Sequence, residues 1–294
     1  MNDLPASGDE LTSLLQEAAV FDPAAYEVYD DYRFASHRLL RCDIAPDASY
    51  FVRQNFRLGK GGLLWDAALL LSRYLYRYPS KASSGERFPP ESPRPTCVEL
   101  GAGVGLPGIV AASIGYVTVL TDIRKLVPLM DANIELQQRV RQAGRATTDN
   151  EPFDCTAAEL SWGECDQMES ALKSLHRRAR GGGSDEGGSD IDACSPTSPP
   201  SLILCSDLVY QEEDFGLLVD TLDRLCRPSP DASTPATRII LTMRIRFVDK
   251  YETFMALLRE RFTVDEVSRD VVQGLHPNAD LHLFEIRRRC GLRR

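Results

Sequence analysis

The run Cys97-Val98-Glu99-Leu100-Gly101-Ala102-Gly103-Val104-Gly105-Leu106-Pro107-Gly108 sets the strongest limit on how this chain can fold. Apolar residues lead into glycines, and the glycines lead into a segment with helical character. Glycine permits a tight turn and lets a ligand approach the backbone closely. A strand that enters such a turn and leaves it as a helix belongs to a parallel sheet covered by helices, with a ligand at the turn.

The surrounding pattern agrees. Thr96–Leu100 reads as a strand, Gly108–Ile114 as a helix and Val117–Leu120 as a second strand ending in Thr121-Asp122. Leu126–Gln138 reads as a helix, with Pro128 tolerated in its first turn. Leu202–Cys205 and Arg238–Met243 read as strands, and Phe215–Leu225 and Lys250–Arg261 as helices. Phe262–Val267 and Leu281–Ile286 close the chain as strands. Strands alternating with helices predict an α/β fold with a mostly parallel sheet. The closing strand, helix, strand, strand order predicts a final hairpin and so an antiparallel terminal strand.

Upstream, Leu11, Leu14, Leu15, Ala18 and Ala19 have helical spacing, residues 32–58 read as strands with turns, and Leu63–Tyr78 reads as a helix after Gly59-Lys60-Gly61-Gly62. Residues 79–95 are a loop rich in Pro and Ser. Residues 177–200 are poor in apolar side chains and rich in Gly, Ser and Pro, and are expected to be a disordered insertion. A linker between two domains is the alternative reading, but the strand at Leu202 is needed to complete the sheet. One domain over residues 1–294 is therefore expected, with an N-terminal extension over 1–30.

The net charge of -9 argues against a non-specific grip on nucleic acid, which needs a surplus of Lys and Arg. Arg287, Arg288, Arg289, Arg293 and Arg294 could make a local basic patch, though a solvated tail is the simpler reading. The eight cysteines are scattered without a C-x-x-C pair, which suits free thiols in a reducing compartment. With four unclustered histidines no metal site is expected. The N-terminus lacks the pattern of a signal peptide, and no apolar run is long enough to span a bilayer. The expected protein is cytoplasmic, with a nuclear pool as a second possibility, and a monomer away from the membrane.

The glycine signal alone leaves the cofactor open. Gly103, Gly105 and Gly108 have the G-x-G-x-x-G spacing of dinucleotide folds, and Asp122 could hold the ribose hydroxyls of NAD or of S-adenosylmethionine. Glu99 favours the second. A carboxylate at the strand end would repel a pyrophosphate but suits the ammonium of a methionine moiety.

Four motifs in order then carry a resemblance: Leu64-Trp65-Asp66-Ala67-Ala68; Val98-Glu99-Leu100-Gly101-Ala102-Gly103 with Thr121-Asp122; Leu160-Ser161-Trp162-Gly163; and Asp207-Leu208-Val209-Tyr210. Together they resemble the seven-β-strand (class I) methyltransferases, and within them the methyltransferase-like 21 group of protein-lysine methyltransferases. Arg244-Ile245-Arg246-Phe247 and the stretch from Phe262 to Val267 are similar to members of that group that modify chaperones and elongation factors. The resemblance covers roughly residues 50–290 apart from loops at 79–95 and 164–200.

The resemblance implies a Rossmann-like fold that binds S-adenosyl-L-methionine. Gly101, Ala102 and Gly103 would line its methionine end, Asp122 its ribose and Trp162 its adenine, with Trp65 and Ser206 completing the wall. The group more often has Ala where Ser206 stands, which keeps the residue small. Core filling is the plainer reading of the two tryptophans. Asp207 would orient the substrate amine, and Tyr210 would wall its channel. A helix cap and simple packing are the plainer readings of this pair. Methyltransferases of planar nitrogens resemble one another in two prolines after the acidic residue. Leu208 and Val209 stand there instead, which favours an sp³ amine. The implied partner is a protein presenting a lysine. A methyltransferase of RNA or a small molecule, a non-catalytic cofactor-binding scaffold and an NAD-dependent oxidoreductase are the competing readings.

Overall fold

A computed structural model of the protein describes residues 7–23, 32, 34–79, 94–144, 153–181, 198–227 and 236–289. The N-terminal part opens with helix α1 (Gly8–Gln16), started by a reciprocal cap: Ser7 Oγ accepts from the Glu10 N–H, and the Glu10 carboxylate accepts from the Ser7 N–H. The helix stops short of the apolar pattern, because Ala19 and Val20 leave it as strand β1 (Ala19–Val20). β1 pairs in parallel with β2 (Leu39–Ala45), and β2 pairs antiparallel with β3 (Ala48–Arg53). Helix α2 (Asp66–Arg77) follows, with most of its residues buried.

The large sheet begins with β4 (Thr96–Leu100), α3 (Leu106–Ser113), β5 (Val117–Asp122) and α4 (Val127–Gly144). It continues with β6 (Asp154–Glu159), α5 (Cys165–Ala179), β7 (Leu202–Ser206) and α6 (Phe215–Leu225). It ends with β8 (Arg238–Arg244), α7 (Val248–Arg261), β9 (Phe262–Glu266), α8 (Arg269–Leu275) and β10 (Leu281–Arg288). The order across the seven-stranded sheet is β6-β5-β4-β7-β8-β10-β9. All neighbours run parallel except β10, which is antiparallel to both β8 and β9. The expected antiparallel strand is therefore present, but β10 inserts between β8 and β9.

Side chains alternate across the sheet, as the two-residue repeat of a strand requires. Cys97, Leu202, Leu204 and Ile240 enter the core shared with α2, α3 and the small sheet. Val98, Leu100, Ile203, Cys205 and Ile239 enter the core shared with α5, α6 and α7. The central strands are apolar almost throughout because both their faces are covered. The small sheet is tied to the large one through α4. Asn133, fully buried, accepts from the Arg53 N–H at 2.7 Å and donates to the Arg53 and Val104 carbonyls, each at 2.9 Å. Gln137 accepts from the Phe51 N–H at 3.4 Å.

Three elements depart from the apolar pattern. β6 reads Asp-Cys-Thr-Ala-Ala-Glu and sits at a sheet edge, where partial exposure removes the apolar signal. α5 occupies the first part of the segment read as a loop over 164–200, burying Ala171, Leu172, Leu175 and Ala179. α8 lies between the last two strands. Residues 182–197 of the expected insertion, 80–93 of the Pro-rich loop, and 1–6 and 24–30 of the N-terminal extension lie outside the described residues. In the basic tail, Arg288 Nε pairs with Asp223 at 2.8 Å and Arg289 Nε donates to the Phe262 carbonyl at 3.1 Å, so both are spent on the fold. Arg293 and Arg294 lie outside the described residues. No helix among those described is long and apolar enough to cross a membrane.

The strand order reverses at β4, with β5 on one side and β7 on the other. In open α/β sheets ligands bind at the carboxyl ends of the strands flanking such a point. The glycine turn follows β4, Asp122 ends β5 and Asp207 follows β7, so all three meet there.

Candidate active site

A cavity of about 740 Å³ opens at this reversal. Its lining includes Trp65, Gly101, Ala102, Gly103, Asp122, Trp162, Ser206, Asp207 and Tyr210. Every site residue expected from the sequence is thus brought together except Glu99.

At Gly101 and Gly103 the turn has no room for a side chain. Gly101 and Gly103 both adopt φ +56°. A Cβ on Gly101 would stand 2.5 Å from a Leu208 methyl, and one on Gly103 would stand 2.8 Å from the Gly61 carbonyl oxygen. The Gly103 N–H donates to Asp122 Oδ2 at 2.9 Å, and the Ile123 N–H donates to Oδ1 at 2.7 Å. Burial pushes the Asp122 carboxyl above its ordinary range, against the pull of these two N–H groups. Asp122 is therefore fixed on the cavity floor directly beside the turn.

Trp162 follows β6 at a bend secured by the Gly163 N–H, which donates to Thr221 Oγ1 at 2.9 Å. Its ring edge lies 3.4 Å from where a Gly101 Cβ would be. Trp65 also lines the cavity. Its Nε1–H donates to the Lys60 carbonyl at 3.0 Å, Tyr32 meets it edge-on at 5.7 Å, and the Arg246 guanidinium lies 5.6 Å from its ring centre.

Glu99 takes a place the sequence did not indicate. Its side chain is fully buried and does not line the cavity. Oε2 accepts from the Gly108 N–H at 2.8 Å, and Oε1 has no hydrogen-bond partner. Desolvation pushes its carboxyl well above the usual range, and the nearby Asp122 adds to the shift. Glu99 thus braces the start of α3 and does not face the cavity.

Asp207 is the one residue other than glycine with positive φ among those described, at +54°. Its N–H donates to the Thr242 carbonyl at 2.8 Å, which holds the strained turn against β8. Oδ1 accepts from the Arg244 N–H at 3.2 Å and from Arg246 Nη1 at 3.0 Å. Asp207 does not cap a helix; Asp214 is the N-cap of α6. Tyr210 is half-exposed at the cavity mouth, and burial, then Asp122, Asp214 and Asp207, raise its phenol above the ordinary value. It stays protonated at neutral pH and can donate but not act as a base. Lys60 Nζ lies 5.2 Å from its ring centre, and Lys250 Nζ donates to its carbonyl at 3.2 Å.

Lys60, Gly61, Arg246 and Lys250 carry parts of this site that the sequence reading gave no role. Arg246 had a usable signal: it lies two residues beyond a parallel strand, at the carboxyl end where sites collect.

The arrangement fits a nucleoside joined to an amino acid. A carboxylate stands ready for vicinal hydroxyls, an indole forms a flat wall, and the missing Cβ atoms at Gly101 and Gly103 let a chain approach the backbone. The lysine methyltransferase family matches residues 46–173 and 187–261. The chain belongs to the lysine methyltransferase family. Relatives include protein N-lysine methyltransferase METTL21A of Danio rerio, 30% identical over 75% of this chain and 77% of that one. METTL21A of Mus musculus is 28% identical over 81% of this chain and 83% of its own length. EEF1A lysine methyltransferase 3 of Mus musculus is 28% identical over 74% and 72%. This methyltransferase is accordingly an enzyme that uses S-adenosylmethionine, on a Rossmann-like class I methyltransferase fold.

Proposed function

We propose that the enzyme methylates a lysine side chain presented by another protein, such as a chaperone or a translation elongation factor. The observation that carries this reading is Asp207, held at φ +54° in the same cavity as the glycine turn. Strain of this kind is kept where the surrounding structure fixes a side chain for a task. The relative named EEF1A lysine methyltransferase 3 supports an elongation factor as the partner class.

The cofactor would lie with its methionine end along Gly101–Gly103, its ribose on Asp122 and its adenine on Trp162, with Trp65 and Ser206 as walls. When bound it supplies an activated methyl group. The chain's own residues do the rest. A lysine has a pKa of about 10.4, so presenting it neutral at pH 7 costs roughly 4 to 5 kcal/mol. Asp207 orients the amine through the oxygen that Arg246 and Arg244 leave open. An isolated carboxylate would also favour the ammonium, and Arg246 offsets that by neutralising it. Tyr210 walls the channel and offers its protonated hydroxyl to the amine. Leu208 and Val209 leave out the paired prolines that would clamp a flat base.

We place the reaction in the cytoplasm, with a nuclear pool as the second possibility, and carried out by a monomer that does not need nucleic acid. The test is transfer of labelled methyl from S-adenosylmethionine into a cell lysate, resolved into protein and RNA. Label on lysine in the protein fraction is expected. Label confined to RNA or small molecules would replace this reading with the competing one. Fractionation and sedimentation of the tagged protein test its location and state.

A further inference from the structure

The Gly59–Gly62 turn carries a lysine to the reaction end of the cavity. Lys60 lines the same cavity as Gly103, Asp207 and Tyr210, with its Nζ 5.2 Å from the Tyr210 ring centre. The turn itself is anchored. Trp65 Nε1–H donates to the Lys60 carbonyl at 3.0 Å, and the Gly62 N–H donates to the Gly59 carbonyl at 3.0 Å. The backbone at residue 60 is thus held at the rim while its exposed side chain reaches over the opening. The other two lysines of the lining are placed differently. Lys250 Nζ donates to the Tyr210 carbonyl at 3.2 Å, and Lys125 acts on Asp122.

Tyr210 walls the channel assigned to a substrate lysine, and Lys60 already lies on it. We propose that Lys60 is methylated in cis by the enzyme that carries it. The inference rests on the assignment of Asp207 and Tyr210 to the amine end of the cavity. In the step, the lone pair of the neutral Lys60 amine forms a new N–C bond to the transferred methyl. The methyl's bond to sulfur breaks, its electron pair stays on sulfur, and the proton released from the ammonium goes to water.

The full chain is purified, and the Lys60 peptide is weighed by mass spectrometry before and after incubation with S-adenosylmethionine. Methyl on Lys60 is expected in either sample. Its rate per molecule should not depend on protein concentration, and Asp207→Asn should lack it. A second readout needs no turnover: bound S-adenosylhomocysteine should slow acetylation of Lys60 by acetic anhydride, because amine and ligand share one cavity. If lysate proteins are labelled while Lys60 stays unmodified, the inference falls and the proposed function stands. If S-adenosylhomocysteine binds and neither is labelled, both fall. A rate that rises with protein concentration overturns the cis geometry. Unmodified Lys60, with affinity for S-adenosylhomocysteine about ten-fold weaker in Lys60→Met, would make Lys60 a cofactor ligand instead.

Discussion

Arg246 meets Asp207 across 3.0 Å, Nη1 to Oδ1, with the two side chains 29% and 11% exposed. The pair sets the charge that an incoming amine feels. A charge-assisted bond of this kind contributes about 1.5 to 3 kcal/mol. Arg246→Gln should therefore lower kcat/KM for protein methylation roughly ten- to a hundred-fold. Arg246→Lys should recover part of the loss, since it restores charge but not the planar fork. Rates of label transfer for the two variants, measured side by side, check this.

The backbone of Asp207 separates two effects that a single alanine would mix. Asparagine tolerates the left-handed region better than alanine does. Asp207→Asn should melt close to the parent, while Asp207→Ala should be less stable by about 1 kcal/mol. Both should lose most methylation and keep S-adenosylhomocysteine affinity. Melting curves and calorimetric titration of both variants give the answer, and normal methylation by Asp207→Asn would remove the carboxylate from the mechanism.

Asp122 belongs to binding. Asp122→Ala removes the acceptor proposed for the ribose hydroxyls, at about 1.5 to 3 kcal/mol for each charge-assisted bond. Affinity for S-adenosylhomocysteine should fall roughly ten- to a hundred-fold. Unchanged affinity by titration calorimetry would place the ribose elsewhere.

Gly103→Ala joins two faults: a left-handed φ of +56° and a Cβ 2.8 Å from the Gly61 carbonyl oxygen. The first costs about 1 to 2 kcal/mol, and the second pushes the 59–62 turn away from the glycine turn. A lower melting temperature and weaker S-adenosylhomocysteine binding should appear together. Gly115→Ala, also at positive φ but with open space around its Cβ, should lower stability without affecting binding.

Glu99 gives a dependence on pH. Its folded-state pKa is raised from the ordinary 4.5 by burial, so the folded protein holds this proton more tightly than the unfolded chain. The stability this contributes is complete below about 4.5 and is lost as pH rises through the raised value. Glu99→Gln cannot lose a proton and can still accept from Gly108. Its stability relative to the parent should rise with pH across that window and then level off. Denaturant unfolding of both proteins over a pH series measures the difference, and a constant gap would mean that Glu99 stays ionised.

Much of the scaffold was legible because the central strands are buried on both faces and so are continuously apolar. Thr96–Leu100 and Phe215–Leu225 have in the structure the bounds read from the chain. β6 has no apolar run to find, because the side chains of this edge strand are partly exposed on both faces. α5 was hidden by its polar outer face and by the Gly- and Ser-rich composition that follows it. The position of β10 between β8 and β9 is a matter of pairing, which periodicity does not encode. In the site, Asp122 and the glycines could be placed because strand ends fix them. Glu99 is buried away from the cavity, and a strand covered by apolar groups on both faces carries no pattern that shows which way its one carboxylate turns.

Asn133 and Gln137 do for β3 what a neighbouring strand would do. The outward N–H groups of Phe51 and Arg53, and the Arg53 carbonyl, are met by side-chain amides from α4. β3 is the rim of the small sheet, and an open rim is where a second polypeptide can add itself by backbone pairing. Here an intruding strand would first have to pull a fully buried amide away from three hydrogen bonds. At this end of β3 the small sheet is protected against self-templated growth by occupation of three of its peptide groups rather than by repulsion.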